Sequence, residues 1–119
     1  MKSILVVDDD KQNRFLIRIF LHRLGYSVLE AEDGLQALRL LKTQRPDLII
    51  LDAMMPNMDG FTALKTIRED PATRDIPVII LTALDETCPG CESLANSLLT
   101  KPVDLSILRK KIELLLNRG

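Results

Sequence analysis

Five side chains stand at places in the chain where they can meet, and their types suit phosphate and a hard cation. They are Asp8, Asp9, Asp52, Thr82 and Lys101. Carboxylates bind magnesium through oxygen, and a few of them plus water and phosphate complete its octahedron. A carboxylate can also attack phosphorus and hold the group as an acyl phosphate. Lysine offers a mobile point charge to a phosphoryl oxygen, and a threonine hydroxyl can donate to another. Asp52 is the candidate nucleophile. Taken singly, Asp8 and Asp9 also suit a helix entry, Thr82 a strand end, and Lys101 a loop.

What draws these residues together is the apolar run in front of each. Val6-Val7 meets Asp8-Asp9-Asp10; Leu48-Ile49-Ile50-Leu51 meets Asp52; Val78-Ile79-Ile80-Leu81 meets Thr82. Short runs of Leu and β-branched residues predict strands buried on both faces, as in a parallel sheet. Ligands of an open parallel sheet gather beyond the carboxyl ends of its strands. Three strand tips therefore share one rim.

Helical patterns separate the strands. Ile17, Phe20, Leu21 and Leu24 have helical spacing, with Gly25 as the stop. Ser27 to Ala31 is a shorter second strand. Gly34, Ala37, Leu38 and Leu41 mark a second helix ending before Pro46. Phe61, Leu64 and Ile67 mark a third, closed by Asp70-Pro71. Leu98-Leu99 makes a short fifth strand. Asp104 caps a last helix carrying Leu105, Leu108, Ile112 and Leu115. Asp10 suits a cap of the first helix, and Asp59-Gly60 a turn and helix start. His22 falls on the polar side of the first helix. Strands alternating with helices through right-handed crossovers predict a doubly wound α/β fold with helices on both faces of a five-stranded parallel sheet. The order 2-1-3-4-5 puts the three polar-tipped strands in the centre.

Length and charge set limits. The chain has 119 residues and a formal net charge of −1. That suits one domain, residues 1–119, with a full core. Lacking a basic block, it is not expected to contact nucleic acid directly. The apolar N-terminal segment meets three aspartates too soon for a leader or a membrane span. A cytoplasmic protein is expected, with its two cysteines resting as thiols. Met1 so close to the first strand suggests a true N-terminus, hence a standalone or N-terminal unit.

The four motifs in order, Val6-Val7-Asp8-Asp9, Leu51-Asp52-Ala53-Met54-Met55-Pro56-Asn57-Met58-Asp59-Gly60, Pro77-Val78-Ile79-Ile80-Leu81-Thr82-Ala83 and Leu99-Thr100-Lys101-Pro102, resemble the receiver domain of two-component response regulators. The resemblance spans essentially the whole chain. It implies a flavodoxin-like fold and phosphorylation of Asp52 by a histidine kinase or phosphotransfer protein, relayed to an output protein or domain. It also implies a Mg2+ ion held by Asp9 and Asp52, by Asp8 through water and by the Met54 backbone carbonyl, and a cis peptide at Lys101-Pro102. Such a domain catalyses at most its own phosphorylation and slow dephosphorylation, so it is not expected to be an enzyme in the usual sense.

The chain departs from the family between Thr82 and Lys101. That stretch looks a few residues shorter than in typical members. Cys88-Pro89-Gly90-Cys91 interrupts the place of the fourth helix, and Leu98 stands where an aromatic is usual. Pro and Gly penalise a helix interior by roughly 3 and 1 kcal/mol, so a short or irregular fourth helix is expected. The two cysteines fit a redox pair, half of a zinc site with no second pair in the chain, or two small residues in a Pro-Gly turn. A phosphorylation switch is the expected function. The alternative is an atypical receiver that acts by phosphorylation-independent or thiol-sensitive partner binding.

Overall fold

The computed structural model describes residues 2–55, 57–83 and 90–117. Within them the elements run β1 (Ser3–Val7), α1 (Lys11–Arg23), β2 (Ser27–Ala31), α2 (Gly34–Leu40), β3 (Leu48–Asp52), α3 (Gly60–Glu69), β4 (Val78–Thr82), α4 (Cys91–Leu94), β5 (Ser97–Thr100) and α5 (Leu105–Leu116). All strand pairs are parallel, in the order β2-β1-β3-β4-β5. The expected topology is the observed one. β3 and β4 extend one residue beyond their apolar runs, so Asp52 and Thr82 are the last ladder residues of their strands.

Alternation along the buried strands divides the core in two. Leu5, Val7, Ile49, Leu51, Val78 and Ile80 pack with Ala37 of α2 and Ala63, Leu64 and Ile67 of α3. Ile4, Val6, Leu48, Ile50, Ile79 and Leu81 pack with Ile17 and Leu21 of α1 and Leu108 and Ile112 of α5. Each central strand is thus apolar on both faces, which is why it reads as an unbroken apolar run.

Local chemistry sets the helix ends. Asp10, Asp33, Asp59 and Asp104 each cap a helix, their carboxylates accepting from backbone N–H groups of the first turn. Gly25 ends α1 with φ +94°. At Gly60 a Cβ would lie 2.6 Å from the Asp52 carbonyl oxygen and 2.7 Å from the Ala53 Cα. Only glycine lets α3 start this close to the tip of β3.

α4 is four residues long, as the Pro-Gly interruption requires. Gly90 precedes it at φ +89°, and a Cβ there would lie 2.5 Å from Phe61 Cε1. Arg68 of α3 anchors the short element from below. It donates to the carbonyls of Leu94 (2.9 Å) and Ile76 (2.6 Å) and to Asn96 Oδ1 (2.7 Å). Asn96 Oδ1 also accepts from the Val78 N–H at 2.9 Å. Cys91 is 1% exposed and belongs to the core beside α3. It is disulfide-bonded, not the resting thiol expected from the sequence; the two residues between the cysteines are few enough for a bridge. Cys88 lies outside the described residues.

Candidate functional site

Strand register assembles the site. Val7 pairs with Leu51, so Asp8, one residue on, stands beside Asp52. Asp52 pairs with Leu81, which puts Thr82 at the next step of the rim. Thr82 pairs with Thr100, and the Lys101 N–H donates to the Thr82 carbonyl at 2.6 Å. The chain then turns through a cis Lys101-Pro102 bond. Lys101 Nζ reaches back to Asp52 Oδ2 at 2.9 Å.

Asp8, Asp9 and Asp52 each offer a carboxylate oxygen within 4.8 Å of the others. Asp8 and Asp52 are buried, and Asp9 is exposed. Three carboxylates so close repel one another, and the Lys101 ammonium offsets part of that charge. Hard oxygen donors at this spacing fit a small divalent cation.

The two buried acids are held differently. Asp52 Oδ1 accepts from the Met54 N–H at 3.3 Å. Asp8 Oδ1 accepts from the Asp10 N–H at 2.9 Å, and Asp8 Oδ2 from Asn13 Nδ2 at 2.5 Å. Burial raises the Asp52 pKa to about 6; Lys101 opposes the rise, and the neighbouring Asp8 adds to it. At neutral pH Asp52 is therefore mainly ionised, the form that can act as nucleophile or ligand.

The loop from β3 to α3, which carries Met54, is tied to α2. Asn57 adopts φ +70° and its Nδ2 donates to Asp33 Oδ2 at 2.9 Å. Met54 itself is 55% exposed. Its neighbour Pro56 lies outside the described residues.

The structure thus brings Asp8, Asp9, Asp52, Thr82 and Lys101 to one rim, with Met54 two residues after Asp52. Asp10 turns away as the α1 cap, His22 is exposed, and Asp59 caps α3. Cys91 sits in α4, away from the acid cluster in the sheet order, and the cysteine pair as such falls partly outside the described residues. Sequence reasoning missed Asn13 and Arg14, which grip Asp8 from α1. One signal existed: Arg14 lies three residues before Ile17 and seven before Leu21, on the apolar stripe of the helix.

The response regulator receiver domain family matches residues 4–113. The chain belongs to this family. It is a phosphoacceptor signalling domain. The DNA-binding dual master transcriptional regulator RpaA of Synechocystis sp. is 41% identical over 99% of the chain, which spans 50% of that protein. The response regulator PleD of Caulobacter vibrioides is 47% identical over 85% of the chain, which spans 23% of it. The chain thus spans half or less of the length of these two relatives. A response regulator structure from Chloroflexus aurantiacus superposes with a TM-score of 0.91 at 32% identity, covering 98% of both chains. The receiver domain of a sensor histidine kinase from Pseudomonas aeruginosa, with magnesium coordinated in its active-site cleft, superposes at 0.86 with 32% identity over 97% of both. Among the described residues, no helix is long and apolar enough to cross a membrane.

Proposed function

We propose that Asp52 is the phosphoacceptor and that its charge is managed by Mg2+ and Lys101. One arrangement carries this reading: a buried carboxylate at a strand end, with two acids on one side and an ammonium 2.9 Å away on the other. Asp9 and Asp52 would supply direct metal oxygens. Asp8, gripped by Asn13 and the Asp10 N–H, would act through water, and the Met54 carbonyl would complete the protein ligands. When bound, the metal neutralises charge on the carboxylates and on the incoming phosphoryl oxygens.

The donor is a phosphohistidine of a histidine kinase or phosphotransfer protein. An Asp52 oxygen forms the new bond to phosphorus as the phosphorus–nitrogen bond breaks. The electron pair leaves with the imidazole nitrogen. Lys101 moves from the carboxylate to a phosphoryl oxygen, and the Thr82 hydroxyl donates to another. The small Ala83 side chain leaves the approach open. The charge redistribution at Thr82 and Lys101 is then relayed to a downstream output protein or domain. The setting is cytoplasmic, and residues 1–119 act as a single receiver unit whose turnover is limited to its own phosphorylation and slow dephosphorylation.

The test is incubation with a small-molecule phosphoryl donor and Mg2+, read by intact mass. One phosphoryl group is expected on the wild type and none on Asp52→Asn. Labelling of Asp52→Asn at wild-type yield would mean that another residue is the acceptor.

A further inference from the structure

Arg14 is a charged residue of α1 that is only 9% exposed. Its Nη1 donates to the Asp8 carbonyl oxygen at 2.7 Å. Its Nε donates to Glu30 Oε1 of β2 at 3.1 Å, and Nη2 lies 3.9 Å from Glu32 Oε1. Glu30 is paired in register with Val6, two residues before Asp8, and is also 3.5 Å from Arg18. The planar guanidinium thus bridges the outer strand and the acid-bearing turn with a fixed fork geometry.

The atom it holds is informative. The Asp8 carbonyl belongs to the peptide that joins Asp8 to Asp9. A peptide is planar, so fixing its oxygen fixes the direction in which the chain leaves for Asp9. Asn13 and the Asp10 N–H already hold the Asp8 carboxylate. Arg14 adds control of the backbone between the two acids.

We infer that Arg14, aimed by Glu30, is a positioning residue that sets the Asp8–Asp9 turn for divalent-metal binding. The inference rests on the assignment of Asp9 and Asp52 as metal ligands. It differs from a bulk charge effect in sign. A cation beside three carboxylates competes with a metal, so removing Arg14 should tighten metal binding if only charge matters. If position matters, removing it should weaken binding.

The experiment measures Mn2+ affinity by the EPR signal of the free ion, for the wild type, Arg14→Gln, Arg14→Lys and Glu30→Gln. Circular dichroism confirms that each is folded. Partners that orient metal ligands typically change affinity 10- to 100-fold, so Arg14→Gln should bind about tenfold more weakly. Arg14→Lys keeps the charge but not the fork and should recover only part of this. Glu30→Gln should weaken binding with Arg14 still present. In metal-free protein, the Asp10 amide resonance should shift in Arg14→Gln, because that N–H reports the Asp8 carboxylate. Tighter or unchanged Mn2+ binding by folded Arg14→Gln overturns the inference, as does an unmoved Asp10 resonance. If Arg14→Gln does not fold, Glu30→Gln decides, and an unchanged affinity or an unmoved Asp10 resonance there overturns it. Failure of the wild type to bind Mn2+ would instead remove the metal-site assignment itself.

Discussion

Replacing Asp52 with Asn should stabilise the metal-free domain at neutral pH, and the size follows from the burial of the carboxylate. The Asp52 pKa rises from 3.8 to about 6 on folding, chiefly through burial, against the pull of Lys101. Between those values the native state binds more protons than the unfolded chain. Stability must then fall as pH rises through this window. A little over two units at about 1.4 kcal/mol each gives roughly 3 kcal/mol. Asn keeps an oxygen for Lys101 but has no charge to bury. The wild type should therefore lose about 3 kcal/mol relative to Asp52→Asn between about pH 4 and pH 7. Urea unfolding in a chelating buffer gives the difference. The chain has no Trp, so helical circular dichroism is the probe. Asp33 and Asp104, whose pKa values are lowered, lose their contributions as pH falls through their folded values, equally in both proteins. They cancel in the difference. Added Mg2+ at ten times its Kd should return roughly 1.4 kcal/mol to the wild type and less to the variant. A pH-independent difference, or a wild type that gains on the variant as pH rises, would show that Lys101 outweighs burial and that the reasoning is wrong.

Asp9→Ala should weaken Mg2+ binding strongly in a calorimetric titration, whereas Asp10→Ala should leave it nearly unchanged and cost about 1 kcal/mol of stability as a lost helix cap. Equal losses of affinity would show that the wrong acid was chosen. Arg68→Ala removes donors to the backbone carbonyls of Arg74, Ile76 and Leu94 and to Asn96, and should cost roughly 2 kcal/mol in urea unfolding. Amide exchange should speed up at Ala95 and Asn96, and unchanged exchange there would deny Arg68 its anchoring role. Gly60→Ala should destabilise by roughly 2 kcal/mol, because its Cβ would meet the backbone of β3, and a neutral result would mean that α3 can move away freely.

The sheet and its rim were legible because both depend on local pattern. A strand buried on both faces must be apolar throughout, so Leu48–Leu51 and Val78–Leu81 mark themselves. The polar residue that ends each run then marks the rim, and the strand order follows from the crossover rule. Asp10 and Asp104 were legible as caps because capping spans only a few residues. The short α4 was legible because Pro and Gly act on their own turn.

What sequence could not supply is chosen by contacts across the fold. Arg14 and Glu30 are 16 residues apart, and Arg68 and Asn96 are 28 apart. No periodicity links the partners, and only the place of Arg14 on the apolar stripe of α1 hints that one of them turns inward. Yet both arginines turn inward to backbone carbonyls that the regular elements leave without partners, one at the Asp8–Asp9 turn and one at the end of α4. An unpaired buried carbonyl is costly, and a guanidinium can reach several at once. The same device therefore serves both ends of the molecule. Arg14 steadies the turn at the carboxyl ends of the strands, where the acids gather. Arg68 steadies the opposite end, where a four-residue helix has too few internal hydrogen bonds to hold itself. Among the described residues, a change at Thr82 is coupled directly to β5, through the hydrogen bond from the Lys101 N–H to the Thr82 carbonyl and along the β4–β5 ladder.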